Sequence, residues 1–304
     1  MSIQRRGDAG FQAILNTGAN IKAACEAAFP GVDYTYLIKD RANANNWQML
    51  DTLRGSNAVL QTNATAAETT YSAPTGNSVG YVWRRGAAFG HDVVLYTGNG
   101  ANRTIAHSLN VEPHMIWVKG RTGAVGGNQN WRVYHRNANA SPASGGLLLS
   151  STGAFGAASG YWNNTAPTSS VFSVGTDSGV NNSDGTYIAY LWTSIPGFSL
   201  FGSYRGNGST DGPFVWCGFK PRFVMIKSAT ASATEWCIYD AARLGYNPDN
   251  NLLRIGAVVE QTDDDIDFTA GGFKLRRSSP NFNDGNTFIF AAFAEVPFKF
   301  ATAR

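Results

Sequence analysis

A spacing that occurs three times restricts the fold of this chain more than any other feature. Tyr96-Thr-Gly-Asn-Gly100 and Tyr204-Arg-Gly-Asn-Gly208 are each followed, thirteen residues after the last glycine, by a proline, Pro113 and Pro221. Six residues on, a lysine closes an apolar stretch, Met115-Ile-Trp-Val-Lys119 and Phe223-Val-Met-Ile-Lys227. A fainter copy keeps the arithmetic: Thr17-Gly-Ala-Asn20, then Asp33, then Tyr36-Leu-Ile-Lys39. Each copy then carries a tryptophan opening a second apolar stretch: Trp47-Gln-Met-Leu-Asp51, Trp131-Arg-Val-Tyr-His135 and Trp236-Cys-Ile-Tyr-Asp240. Arg54 and Arg243 follow three residues after the aspartates, whereas the middle copy has Arg136 instead. Each copy ends in an aromatic stretch: Gly76 to Trp83, Gly185 to Trp192 and Gly285 to Phe293. Repetition of this kind is architectural first, because a reused module keeps the residues its core needs.

The copies run from residue 9 to 88, 89 to 196 and 197 to 304, with residues 1–8 as an N-terminal arm. The first is the shortest. The closing stretch of the second is apolar on both faces, Tyr187, Ala189 and Leu191 on one and Ile188, Tyr190 and Trp192 on the other. A strand of that kind lies between two layers. Ser183-Asp-Gly185 and Asn283-Asp-Gly285 are hairpin signals, since Asp-Gly supplies the left-handed backbone of a tight turn. Charged residues make up only 15% of the chain, against about 25% in ordinary soluble domains, so little charge is at hand to coat helices. The expected fold is all-β, three tandem diverged β-sandwich (lectin-like) modules. Short helices are expected only at Ile21–Phe29 and Ser56–Ala67.

Several chemistries are excluded by spacing. The four histidines, His91, His107, His114 and His135, form no zinc pattern. His135 takes the slot of Asp51 and Asp240, which points to a hydrogen bond to a neighbouring loop rather than to catalysis. Asp263, Asp265 and Asp267 imitate the start of a calcium loop, but Phe268 stands where glycine is needed and Lys274 where the closing glutamate belongs. A charge-protected strand edge accounts for the run better. Glycoside hydrolysis needs two carboxylates in one cleft, and Asp51 and Asp240 fall in different modules. No phosphate loop, nucleophile elbow or dinucleotide fingerprint occurs. Cys25, Cys217 and Cys237 form no close pair, so free buried thiols are expected. No enzyme, metal or cofactor is anticipated. A net charge of +3 with no basic cluster gives no case for nucleic acid.

Tryptophan and tyrosine faces stack on sugars, which raises carbohydrate binding. Trp47, Trp131 and Trp236 are locked to the repeat and so belong to a core. The better ligand-contact candidates are aromatics outside the repeat: Tyr161 and Trp162, in the loop-like stretch Gly153 to Thr168, and Tyr246.

Trp236-Cys-Ile-Tyr-Asp240 with Arg243 and Gly245, and Trp47-Gln-Met-Leu-Asp51 with Arg54 and Gly55, each after a lysine-ended strand, resemble the W-x-x-Y-D-x-x-R-G repeat of tail-associated proteins of tailed bacteriophages. Gly212-Pro-Phe-Val-Trp-Cys-Gly-Phe-Lys-Pro221, Gly271-Gly-Phe-Lys-Leu275 and Phe293-Ala-Glu-Val-Pro-Phe298 are similar to that family's consensus, best over residues 93–299. Copy 1 departs by lacking the proline before its first strand. The resemblance implies a virion structural protein, tail fibre or other tail component, touching the host surface. A capsid decoration or head-fibre protein is the alternative, and a carbohydrate-binding or polysaccharide-degrading tail protein is a weaker one. It implies other virion proteins as partners, a host-surface glycan or receptor, and a homo-oligomer, a trimer if a fibre. The first residues carry no secretion signal and no stretch is long and apolar enough for membrane insertion. The resemblance implies a location in the virion, and the missing signal fits assembly in the host cytoplasm.

Overall fold

The computed structural model describes residues 10–121, 130–244, 246–248, 251–255, 259–262 and 266–294. The N-terminal arm and Asp263, Asp264 and Asp265 lie outside them.

The first segment contains β1 (Phe11–Thr17), α1 (Gly18–Glu26), β2 (Tyr34–Asp40), β3 (Gln48–Asp51), β4 (Ala58–Gln61), β5 (Thr69–Thr70) and β6 (Asn77–Arg84). The second contains β7 (His91–Thr97), β8 (Arg103–Ala106), β9 (Met115–Gly120), β10 (Arg132–His135), β11 (Gly145–Leu148) and β12 (Gly156–Ala157). It continues with α2 (Ser159–Trp162), β13 (Val171–Val174), α3 (Ser178–Asn181) and β14 (Thr186–Trp192). The third contains β15 (Ser199–Arg205), β16 (Phe214–Trp216), β17 (Pro221–Ser228), β18 (Cys237–Asp240), β19 (Leu253–Arg254), β20 (Ile266–Thr269), β21 (Gly272–Leu275) and β22 (Thr287–Ala294).

Three larger antiparallel sheets share one connectivity. Their orders are β1-β6-β2-β3-β4-β5, β7-β14-β9-β10-β11-β12 and β15-β22-β17-β18-β19. In each, the last strand of the segment slots between its first strand and its lysine-ended strand. That placement gives β6, β14 and β22 a neighbour on either side, and both of their faces are covered. Ile188, Tyr190 and Trp192 point into one core, which also takes Tyr81 and Trp83 from the first sheet and Ile289 and Phe293 from the third. Tyr187, Ala189 and Leu191 point the other way, into a core private to the second segment. The inner faces of all three sheets thus meet in one shared core.

The outer faces are covered differently. The second sheet is roofed by β8 paired with β13, and the third by β16-β21-β20, the sheet-on-sheet solution that an all-β chain requires. The first is roofed by α1, whose Ile21 and Cys25 lie one turn apart and bury against Tyr36, Ile38 and Val82, with Phe29 just beyond the helix. Lys22 and Glu26 pair across its open side at 2.6 Å. The helix comes so close that a Cβ on Gly80 would stand 2.2 Å from Cys25 Sγ. Gly80 is the position at which β14 has Ala189 and β22 has Phe290.

Two local expectations need correction. The stretch Ser56–Ala67 holds β4 rather than a helix, because Val59 faces outward into the α1 core and Leu60 inward, the alternation of a two-sided strand. The turns before β14 and β22 join no hairpin. Asp184 does adopt φ 61°, but the preceding strands belong to the outer layers, so these turns carry the chain from roof to main sheet. All three cysteines are free and buried.

Gly80→Ala should cost about 1–3 kcal/mol of stability through overpacking against α1. Adding Cys25→Ala removes the obstructing sulfur. Urea unfolding of the two single variants and the double variant should show the double losing less than the sum of the singles.

Candidate functional site

The repeat-locked polar residues are the first candidates for chemistry, and each turns out to link two sheets. Trp47, Trp131 and Trp236 stand just before β3, β10 and β18 and are fully or almost fully buried. Their indole N–H groups donate to Arg254 O at 3.1 Å, Gln61 O at 2.9 Å and Leu148 O at 3.1 Å. Those carbonyls end β19, β4 and β11, so the first sheet reaches the third, the second reaches the first, and the third reaches the second. The contacts close into a ring.

Asp51 and Asp240 run round the same ring in the other direction. Tyr190 donates to Asp51 Oδ2 at 2.7 Å, and Arg54 Nε donates to the same oxygen at 2.6 Å. Arg54 also reaches Glu68, which Arg121 of the second sheet holds at 2.9 Å. At the next junction Tyr81 and Arg243 Nε both donate to Asp240 Oδ2 at 2.5 Å. There Glu260 is clasped by Arg243 and by Arg41 at 2.6 Å. The side chains of both Asp–Arg pairs are wholly out of solvent. Burial raises the Glu68 and Glu260 carboxyls, but the facing guanidiniums outweigh it and hold both below the ordinary value of 4.5. A carboxylate filled by arginine and tyrosine with no access to solvent has no substrate within reach. These networks hold sheets together.

The junction between the second and third sheets lacks all five members. The main-chain bond that places Glu68 on Arg121 O and Glu260 on Arg41 O recurs as Phe155 N to Ala229 O at 2.9 Å. There Asp becomes His135, Arg becomes Ala138, Glu becomes Phe155, and the partner's Arg and Tyr become Ala229 and Ala291. His135 meets both a loop and another sheet: its Nδ1 accepts the Asn137 N–H in the turn after β10 at 3.2 Å, and its Nε2 lies 3.3 Å from Phe290 O of β22. Burial lowers the His135 imidazole to about 3 and that of His91, stacked on Trp192, to about 4.

The lysines that end the apolar strands are also buried. Lys39 donates to Asn43 O and Asn45 O, Lys119 to Thr65 O, and Lys227 to Thr152 O and Thr234 O. Burial lowers each ammonium to about 8.

The loop aromatics expected to contact a ligand are not brought together. Trp162 is 2% exposed and meets Tyr134 edge-on inside the outer core of the second segment. It offers no face, because Gly153–Thr168 folds through β12 and α2 onto that core instead of standing free. Tyr161 is half-buried with the Arg132 guanidinium 4.7 Å from its ring centre. Tyr246 is 70% exposed, on the third segment. Asp267 of the acidic run pairs with Arg276 at 2.5 Å. Among the described residues no cluster of histidine, cysteine or carboxylate side chains could hold a metal, and no helix is long and apolar enough to cross a membrane.

An open cleft of about 690 Å³ lies between the first two segments, where Arg85 bridges Asp33 and Asp92 at 3.2 and 2.8 Å. Asp92 further accepts the Ser108 and Val93 N–H groups, so both of its oxygens are already engaged within the fold. The largest exposed aromatic is Trp216, 66% exposed beside Phe214 at 48%. The run Phe214-Val-Trp216 looks like a buried strand in sequence. Val215 takes the inward position of β16, so the alternation of the strand turns both rings to the outer face of the outer layer.

The fold and its ring of junctions define an all-β protein of three like-connected sheets around one core. The chain belongs to the family described as a domain of unknown function, DUF7483, whose model matches residues 73–297, from just before β6 to past β22. No curated protein is significantly similar to it in sequence.

Replacing Arg243 by Met should cost about 3–5 kcal/mol, since Asp240 and Glu260 lose a buried partner, whereas Arg136→Met in the middle copy should stay within about 0.5 kcal/mol. Chemical denaturation of both variants checks this. Stability should also fall in acid. His91 and His135 have folded values below the unfolded 6.5, so the unfolded chain binds more protons as pH falls from 6.5 towards 4. Each contributes a loss of up to about 1.4 kcal/mol per pH unit. Glu68 and Glu260 add stability that is complete above 4.5 and lost below it. Urea midpoints measured from pH 7 to 4 should decline, and less steeply in His135→Gln.

Proposed function

We propose that the protein is a structural component of a tailed-bacteriophage virion, carried on the tail and facing the host surface. The observation that carries this is the spacing W-x-x-(Y/L)-D-x-x-R, present as Trp47 to Arg54 and Trp236 to Arg243, similar to that of tail-associated proteins. In this chain its tryptophan, aspartate and arginine link neighbouring sheets. The carboxylates that a polysaccharide-degrading enzyme would use are taken up in those links, which supports a mechanical role. Its partners are other virion proteins and further copies of itself, with threefold assembly following from the analogy with tail fibres.

Localisation in intact particles tests the proposal. Labelled protein should map to the tail, at a copy number that is a small multiple of three. Copies spread over the shell would make it a capsid decoration protein, and absence from purified particles would overturn the proposal. Sedimentation of the purified chain should show an oligomer at micromolar concentration; a stable monomer would remove the self-assembly part.

A further inference from the structure

We propose that the outer face of the β16-β21-β20 sheet is a carbohydrate-binding site in which a pyranose ring stacks on Trp216. The protein has eight tryptophans, and seven are 3% exposed or less. The eighth, Trp216, is 66% exposed, although burying an aromatic ring of this size is favourable by kilocalories. The ring is also held in place. Its strand pairs with β21 through Phe214–Lys274, Val215–Phe273 and Trp216–Gly272. The next two N–H groups, Cys217 and Gly218, both donate to Gly271 O, at 2.8 and 3.0 Å. The six-membered half of the indole rests against Gly271, where any Cβ would lie 2.2 Å from Cζ3. An exposed ring fixed in this way loses little conformational freedom when a ligand covers it.

The surroundings match a sugar better than other partners. Phe214 stands 6.3 Å from Trp216 at 69°, so one ring can offer a face and the other an edge to the C–H groups of a pyranose. Lys274, across from Phe214 on the same side, is paired at 2.6 Å with Asp211, which is 84% exposed. This pair offers a donor and an acceptor to ring hydroxyls beside the apolar platform. The Trp216 indole N–H has no protein acceptor among the described residues and is a further donor. A protein partner needs about 800 Å² on each side, whereas two partly exposed rings supply a fraction of that. A nucleic-acid strand needs a cationic groove along its phosphates, and Asp211 neutralises the lysine here. The inference rests on this surface alone and holds wherever the protein sits in a particle.

Indole-selective nuclear magnetic resonance on ¹⁵N-tryptophan-labelled protein tests it. The probes are soluble neutral oligosaccharides built from glucose, galactose, mannose or N-acetylglucosamine. Affinity is expected in the range of about millimolar, as befits one stacked ring. At least one probe should shift the Trp216 signal saturably and leave the seven buried indoles in place. Trp216→Ala should abolish saturable binding, and Phe214→Ala should weaken it by about threefold to tenfold. The seven unshifted indole signals of each variant report that it is folded. The proposal is overturned if no probe moves the Trp216 signal, or if binding persists in Trp216→Ala. It is equally overturned if that signal alone broadens with protein concentration while every probe leaves it unmoved, which would make the face a contact between copies.

Discussion

The shared aromatic core is the constraint on which the rest of the structure depends. A sheet roofed on one face still presents a second apolar face to water, and a segment of this size cannot cover both from its own residues. Here each inner face is covered by the inner faces of the other two. Trp83, Trp192, Phe223 and Phe293 meet with ring centres about 6 Å apart, mostly edge to face. The tryptophans at the starts of β3, β10 and β18 do two jobs. Their rings fill that core, and their N–H groups satisfy a carbonyl at the end of a strand in the next sheet. A buried carbonyl left unpaired there would cost about 1–3 kcal/mol, so the hydrogen bond sets the register between sheets as well as adding to stability.

That ring explains why the polar junctions change as a unit. Asp240 is tolerable in a dry junction only because Arg243 and Tyr81 fill its oxygens, and Arg243 only because Glu260 takes its other side. Losing one member leaves a buried charge without a partner. The third junction has accordingly lost all four charges of that set, and His135, Ala138, Ala229 and Ala291 are all nearly out of solvent there. An apolar junction of matched volume can be as stable as an ionic one, which is why two chemistries coexist at equivalent places in one chain.

Much of this was legible in the sequence, because a core that uses a residue three times shows it as spacing. The tryptophans, the terminal lysines and the two-faced closing strands follow from that spacing and from alternation. What lies between copies did not follow. Nothing in Tyr81 or Tyr190 indicates that its hydroxyl serves an aspartate of a different copy, since each copy shows only its own half of a junction. The roof of the first sheet was half legible: Ile21, Cys25 and Phe29 have helical spacing, but the glycine that admits the helix, Gly80, is 55 residues past Cys25. Trp162 was expected in an exposed loop and is buried, whereas Trp216, which the repeat does not single out, is the exposed ring. Loop-like composition around Trp162 does not show that the loop folds onto a core, and strand-like composition around Trp216 does not show which face of the strand is left uncovered.

The two faces of each sheet are under unequal constraint, and this separates support from recognition. An inner-face residue answers to two neighbouring sheets, so a change there needs compensating changes in another segment, as the third junction illustrates. An outer face answers only to its own roof. The roofs have accordingly diverged into a helix, a two-stranded sheet with α2 and α3, and a three-stranded sheet, while the first five strands beneath them follow one order. Variation that leaves the frame intact can therefore accumulate only on the roofs. Trp216 lies on the roof of the third sheet, where a side chain can be turned to solvent without disturbing a junction.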